Sequence, residues 1–237
     1  MAVYTEESVK ANVRVREGKR VFYLADGDHL TPSAREWLRQ EKVEVLPSVL
    51  AKPERYRTLE GISVLEKPEH WTHLKADLLV PKNHPRIVFR GSIDELEAEI
   101  LLAGCLAAEM KLTKLASQLK EVLDIVRNIL RCEVMEEPFS VKSICGMSME
   151  TLREHSHYPQ KYYDQPHFMP EANDGMMLLT LNRLRTCVRK TEIAAYRAFI
   201  HSDATPERSD LICILNRLSS FIWILMIRMK KEAADGK

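Results

Sequence analysis

MMLLTLNRLRTCVRKTEIAAYRAFI, residues 176–200, repeats its apolar side chains at helical spacing. At 3.6 residues per turn, Leu181, Leu184, Val188, Thr191, Ala195 and Phe199 form one stripe that must face a core. One position further round stand Asn182, Arg185, Arg189, Glu192 and Tyr196. Two guanidinium groups and a carboxylate therefore share a row at the edge of the buried stripe. Arginines held at such an edge either pair with acidic groups of a neighbouring helix or subunit, or hold an anion such as a polyphosphate. An ion-pair row is the commoner use of such a pattern, and the spacing alone does not choose.

Working outward, the same period recurs on both sides. Towards the C-terminus, Thr205-Pro206-Glu207 restarts the chain, and Leu211, Leu215, Leu218, Ile222, Leu225 and Met229 line one face of a last helix. Upstream, Leu115, Leu119, Val122, Val126 and Ile129 mark another helix. Ser92-Ile-Asp-Glu95 has the form of a capping box and predicts a helix from Ser92 to about Met110. Residues 136–174 read as irregular, with a short helix near Ser148 to His155. Four long helices with connections of mixed length predict a mainly α chain built as a four-to-five-helix bundle.

The first part of the chain differs. Asn12 to Arg16 and Arg20 to Leu24 alternate about Glu17-Gly18-Lys19, a hairpin pattern. Thr31-Pro32 opens a helix to about Gln40, and Val43 to Leu46 reads as a strand. Residues 47–90 are proline-rich without helical period, so a long ordered loop is expected, with a short strand at Arg86 to Phe89. The predicted division is an α/β extension over 1–65 and a helical bundle over 66–237.

Lys and Arg number 35 against 34 Asp and Glu, which argues against a protein that coats nucleic acid. Five cysteines scattered singly, with no C-x-x-C, suggest neither a disulfide framework nor a zinc ribbon, and fit reduced thiols in a cytoplasmic protein. The opening residues lack the apolar segment of a signal peptide. The oily run Leu211 to Met229 is interrupted by Asn216, Arg217, Ser219, Ser220 and Arg228, favouring a buried core helix over a membrane span.

Three further features can carry chemistry. Lys82 arrives on a loop ahead of a helix, where a lysine can hold a phosphate oxygen, although a solvated surface lysine is the commoner case. Asn216, Ser220 and Trp223 cut a polar notch into the last helix, which either helix-to-helix hydrogen bonds or a ligand explains. His167-Phe168-Met169-Pro170, with Tyr158, Tyr162 and Tyr163 before it, can cover a flat ligand or form a packed loop. His70 and His73 have H-x-x-H spacing, but no carboxylate or cysteine completes a recognised set, so no protein metal site is predicted. No Walker A run, G-x-S-x-G elbow or G-x-G-x-x-G loop is present.

Together these pieces resemble the PduO-type ATP:cob(I)alamin adenosyltransferases, and more closely their ethanolamine-utilisation branch. Lys82 followed by Gly91-Ser-Ile-Asp-Glu-Leu96 is similar to that family's lysine and G-T-x-D-E-L. Arg185-Thr-Cys-Val-Arg189-Lys-Thr-Glu192 is similar to its R-x-x-C-R-R-A-E, and Leu215-Asn-Arg-Leu-Ser219 matches its L-N-R-L-S. The T-x-x-G-D-x-G-x-T loop is replaced by Trp71-Thr-His-Leu-Lys-Ala-Asp77, and Ser220 stands where an aspartate is usual. Some ethanolamine-branch members carry a His and Cys metal cluster near the N-terminus; this chain has no cysteine before Cys105.

The resemblance implies a homotrimer with MgATP between subunits, Arg189 and Lys82 acting on the triphosphate, and Glu192 and Asn216 orienting the nucleotide. It puts Thr72, His73 and Lys75 in place of the phosphate loop, and pairs Arg185 with Asp94 across the interface. His167 or Phe168 would shield the lower face of cobalamin. A cobalamin reductase and an adenosylcobalamin-dependent ammonia-lyase would be partners, in the cytoplasm or a bacterial microcompartment. Cob(I)alamin is itself the nucleophile in such a reaction, which suits a chain without a catalytic triad. The competing reading is a non-catalytic helical bundle that carries or senses a nucleotide or corrinoid.

Overall fold

The computed structural model describes residues 2–16, 18–48 and 56–236, and divides the chain into two compact units that meet in sequence at His84 and Pro85. The first unit is α/β. Its elements are β1 (Val3–Tyr4), α1 (Glu6–Asn12), β2 (Arg14–Arg16), β3 (Lys19–Leu24), β4 (His29–Leu30), α2 (Pro32–Gln40) and β5 (Glu44–Pro47). They continue with β6 (Tyr56–Arg57), β7 (Ser63–Val64), β8 (Trp71–Lys75) and β9 (Leu78–Pro81).

The hairpin expected about residue 18 forms: β2 and β3 pair antiparallel, and Gly18 takes the left-handed φ of 76° that the turn requires. Glu17 lies outside the described residues. Thr31 caps α2 with its hydroxyl accepting from the Ala34 N–H, and Pro32 occupies the first turn, where its missing N–H costs nothing. Val9, Phe22, Ala34, Leu38 and Val43 close a small core between α1, α2 and the sheet.

The loop expected over 47–90 is a correction. Residues 49–55 lie outside the described residues, but β6 to β9 extend the sheet, whose strand order is β5-β3-β2-β7-β6-β9-β8. These strands are two to five residues long, too short for a visible period, and their prolines sit at strand ends, as Pro81 opposite Trp71 shows. Residues 66–84, expected with the bundle, lie in this first unit.

The second unit is the helical bundle. Its long helices are α3 (Pro85–Glu109), α4 (Thr113–Met135), α7 (Met176–Phe199) and α8 (Ser209–Asp235). Between α4 and α7 come the hairpin β10 (Ser143–Ile144) and β11 (Met147–Ser148), then the short helices α5 (Met149–His157) and α6 (Pro159–Tyr163). α3 packs on α4 and α7, α7 packs on α8, and α5 and α6 lie against α8. Every residue of the apolar stripe of α7, Leu181 to Phe199, is buried.

Neither the strand at 86–89 nor the helix start at Ser92 forms. The helix begins at Pro85, and the apolar run Ile87-Val88-Phe89, too short to separate strand from helix by period, makes part of its first turns. Ser92 is an interior residue whose hydroxyl donates back to the Val88 carbonyl. Arg86 and Arg90, one turn apart, clasp Glu133 of α4, a fully buried carboxylate. Each arginine Nε donates to one of its oxygens at 2.6 Å.

α8 is the one described helix long and apolar enough to cross a membrane by length and composition. Leu211, Leu215, Leu218, Phe221, Ile222 and Met226 on it are all at 0% exposure inside the bundle core, the packing of a core helix.

Candidate functional site

Two cavities open on the α7–α8 face of the bundle. The larger, about 670 Å³, is lined by Arg185 and Arg189 from α7, Ser219, Ser220 and Trp223 from α8, and His167 to Pro170 from the loop before α7. The smaller, about 260 Å³, lies between Arg189, Glu192, Ile193 and Tyr196 on α7 and Ile212 and Asn216 on α8. Arg189 belongs to both.

The helical register explains this. Arg185, Arg189 and Glu192 fall one position round from the buried stripe, so each stands on the seam where α7 meets α8. Glu192 accepts a hydrogen bond from the Asn216 amide of α8 at 2.9 Å, joining the two expected nucleotide-orienting residues. The polar notch around Asn216 is in part local, because the Ser219 and Ser220 hydroxyls donate to the Asn216 carbonyl of their own helix.

The two arginines differ from the other cations of α7. Lys190 pairs with Glu95 and Arg183 with Glu99, both across to α3. Neither Arg185 nor Arg189 has a carboxylate within ion-pair distance among the described residues. Arg185 lies over the Trp223 ring with its guanidinium carbon 5.3 Å from the centroid, and its Nη2 donates to Asn182 at 3.4 Å. Its Nε is buried and has no hydrogen-bond partner among the described residues. Burial, and then the positive charge of Arg189, lowers the Arg185 pKa from the usual arginine value. Two positive groups side by side at a cavity, with no carboxylate within ion-pair distance among the described residues, make a place for an anion.

The aromatic loop is packed and ordered. Phe168 stacks on Trp223 with centroids 5.0 Å apart, and His167 lies parallel to the same indole at 5.9 Å and 8°. Phe168 is half-buried against the bundle core, whereas His167 is exposed. His155 sits behind, stacked on Tyr162 and hydrogen-bonded to the Tyr163 hydroxyl at 2.8 Å.

Asp94 is exposed on α3, and it makes no pair with Arg185 within one chain. The remaining expected site residues lie in the first unit. Thr72, His73 and Lys75 are on β8, paired with β9, so a strand stands where the resemblance puts a phosphate loop. His73 Nδ1 is 2.9 Å from the Ala76 carbonyl. Lys82 is in the turn between β9 and Pro85, three residues before α3 begins. Among the described residues no group of three His, Cys, Asp or Glu side chains is placed to hold a metal ion.

Two residues at this face escape the sequence reading. Lys230 of α8 pairs with Asp174, and its ammonium lies 5.4 Å from the Phe168 ring centre. The partners are 56 residues apart in the chain, so no local pattern announces the pair.

Residues 62–229 match the family model for cobalamin adenosyltransferase. The chain is 33% identical over 246 residues to the corrinoid adenosyltransferases EutT of Salmonella typhimurium and of Escherichia coli, covering 94% of this chain and 90% of each relative. In fold it is similar to variants of a PduO-type ATP:corrinoid adenosyltransferase from Lactobacillus reuteri. One, complexed with cobalamin and ATP, gives a TM-score of 0.53 at 17% identity, over 70% of this chain and 91% of that one. Another, complexed with ATP, gives 0.51 at 18% identity, over 69% and 92%. The motifs on α3, α7 and α8, the bundle they build and these likenesses agree, and this chain belongs to the cobalamin adenosyltransferase family.

Proposed function

We propose that this protein is an ATP:cob(I)alamin adenosyltransferase serving ethanolamine utilisation, with the two cavities of the α7–α8 face as its substrate sites. The cobalt(I) of the corrinoid supplies an electron pair to C5′ of ATP. The cobalt–carbon bond forms, the C5′–oxygen bond breaks, and triphosphate leaves with that bond's electrons. The observation that carries this reading is Arg189, one guanidinium lining both cavities with no carboxylate within ion-pair distance among the described residues.

Its neighbours divide the work. Glu192 and Asn216, already hydrogen-bonded to each other, orient the nucleotide in the smaller cavity. Arg189 neutralises charge gathering on the leaving triphosphate, where a fixed cation stabilises the transition state. Lys82, Thr72, His73 and Lys75, all of the first unit, are the further phosphate contacts that the family resemblance implies. The His167–Phe168 loop and Trp223 give the larger cavity the flat, aromatic wall that a corrin face suits, and exclude water from it. Mg²⁺ fits as a companion of the triphosphate: a hard cation that keeps most of its waters needs one carboxylate and the phosphates, and Glu192 is the carboxylate in the smaller cavity. Bound there, it would screen the phosphate charge.

The buried Nε of Arg185, with no hydrogen-bond partner among the described residues, and the exposed Asp94 support assembly as a homotrimer, in which a neighbouring copy's Asp94 approaches Arg185. A reductase that delivers cobalt(I) and an ammonia-lyase that uses the product are the protein partners of this reading, in the cytoplasm or a microcompartment.

The test is to add ATP and reduced cobalamin and follow the cobalt–carbon absorbance. Arg189→Ala is expected to lower kcat by about 100-fold to 1,000-fold, the usual cost of losing one charge-stabilising donor, with the helical circular dichroism unchanged. Near-normal turnover removes Arg189 from the site. Absence of any product from the unaltered chain, with ATP still raising its melting temperature, favours the carrier or sensor instead.

A further inference from the structure

The loop that closes the larger cavity is held by groups outside it. Phe168 contacts two residues of α8 that lie about two turns apart: it stacks on the Trp223 ring, and the Lys230 ammonium lies 5.4 Å from its ring centre. Lys230 is not free to leave. Its Nζ pairs with Asp174, whose side chain is only 3% exposed. Asp174 in turn accepts the Glu171 N–H at 2.8 Å, completing a turn at the far end of the loop. The Lys230 ion pair and the Glu171 N–H together hold the Asp174 carboxyl below the usual carboxylate range, so the pair is charged at neutral pH.

His167 is fastened differently. Its Nε2 is 3.2 Å from the His157 carbonyl, and its ring is exposed over the outer part of the same indole. Phe168 is therefore fastened to α8 at two points, while the more exposed His167 beside it lines the same cavity. Backbone continuity makes the second consequence depend on the first. If Phe168 is released from Trp223, His167 loses its place as well.

We propose that Lys230 is a positioning residue for the corrinoid: through Asp174 and Phe168 it seats the loop on Trp223, and so presents His167, with Phe168 as anchor, to the lower face of the bound corrin. This rests on the reading of the larger cavity as the corrinoid site. It makes the aromatic cover a latched wall whose latch lies outside the cavity, because Lys230 and Asp174 do not line it.

The experiment uses the full chain with Lys230→Ala, Lys230→Arg and Asp174→Asn. Steady-state kinetics with each substrate varied are combined with visible spectra of bound cob(II)alamin. Lys230→Ala and Asp174→Asn are each expected to raise KM for cobalamin about tenfold, the size of one lost charge-assisted contact, and KM for ATP less than about twofold. Both should reduce the fraction of bound cob(II)alamin with an empty lower axial position. Lys230→Arg, which keeps the charge and reaches the same carboxylate, should recover most of the affinity and the spectrum. Unchanged cobalamin KM and spectra in both loss variants overturn the proposal, as does an equal rise in both KM values, which marks general loosening.

Failure of the underlying reading is separately visible. The unaltered chain would then form no cobalt–carbon product, while the fluorescence of Trp223, the one tryptophan in the helical unit, would still report whether Lys230→Ala frees the loop.

Discussion

Arg189 and Cys145 show how much a side chain's surroundings decide about its chemistry. Arg189, Arg183 and Lys190 are neighbours on one helix, yet two have carboxylates from α3 and the third has a cavity on either side. Charge count alone could not separate them. Cys145 sits in the tight turn between β10 and β11 with φ 49°, and burial, followed by the negative charge of Glu121, pushes its pKa up to about 12. A thiol raised in this way keeps its proton longer in the folded chain. Its contribution to stability is thus present below the unfolded thiol value of roughly 8.5 and lost as pH rises from there towards the folded value. Iodoacetamide at pH 8 is accordingly expected to modify Cys145 at least about tenfold more slowly in the native protein than in urea, because the thiolate is the reactive form. Equal rates would show that the thiol is not protected.

Among the elements, α3 carries the clearest structural debt to a distant partner. Its first two turns hold Arg86 and Arg90, and both depend on Glu133 near the end of α4. A fully buried carboxylate shared by two arginines is stable only while all three remain. Glu133→Ala is expected to cost about 3–5 kcal/mol, read as a lower urea midpoint with an unchanged slope. A loss below about 1 kcal/mol, the range of exposed pairs, would mean the clasp adds nothing beyond packing. The clasp also accounts for the misread start of this helix. Ser92-Ile-Asp-Glu95 has the composition of a cap, but Pro85 and the Glu133 contact let the chain become helical seven residues earlier.

Arg185 and Arg189, which have no carboxylate within ion-pair distance among the described residues, bear on subunit number. Sedimentation equilibrium is expected to show a homotrimer, and Asp94→Arg, placing like charge against Arg185 of a neighbouring copy, to shift it towards monomer. A monomer that turns over at the normal rate would rule out a site completed by a second subunit. The helical unit holds both cavities, and Lys82, Thr72, His73 and Lys75 belong to the α/β unit.

The bundle was legible because buried stripes repeat at helical spacing for four to five turns, and Leu181 to Phe199 and Leu211 to Met226 are both covered in the helical core. The row Arg185, Arg189 and Glu192, and Asn216 with its family motif, could be read for the same reason: helical register fixes their neighbours within one element. The strands β6 to β9 could not, since two to five residues carry too little period to compete with nearby prolines. Nor could the Glu192–Asn216 bond, the Glu133 clasp or the Lys230–Asp174 latch, whose members lie 24 to 56 residues apart. Side-chain spacing along one helix is set by local geometry and is written in the sequence. Which charges are neutralised, and which are left facing a cavity, is set by packing between helices, and only the folded chain decides it.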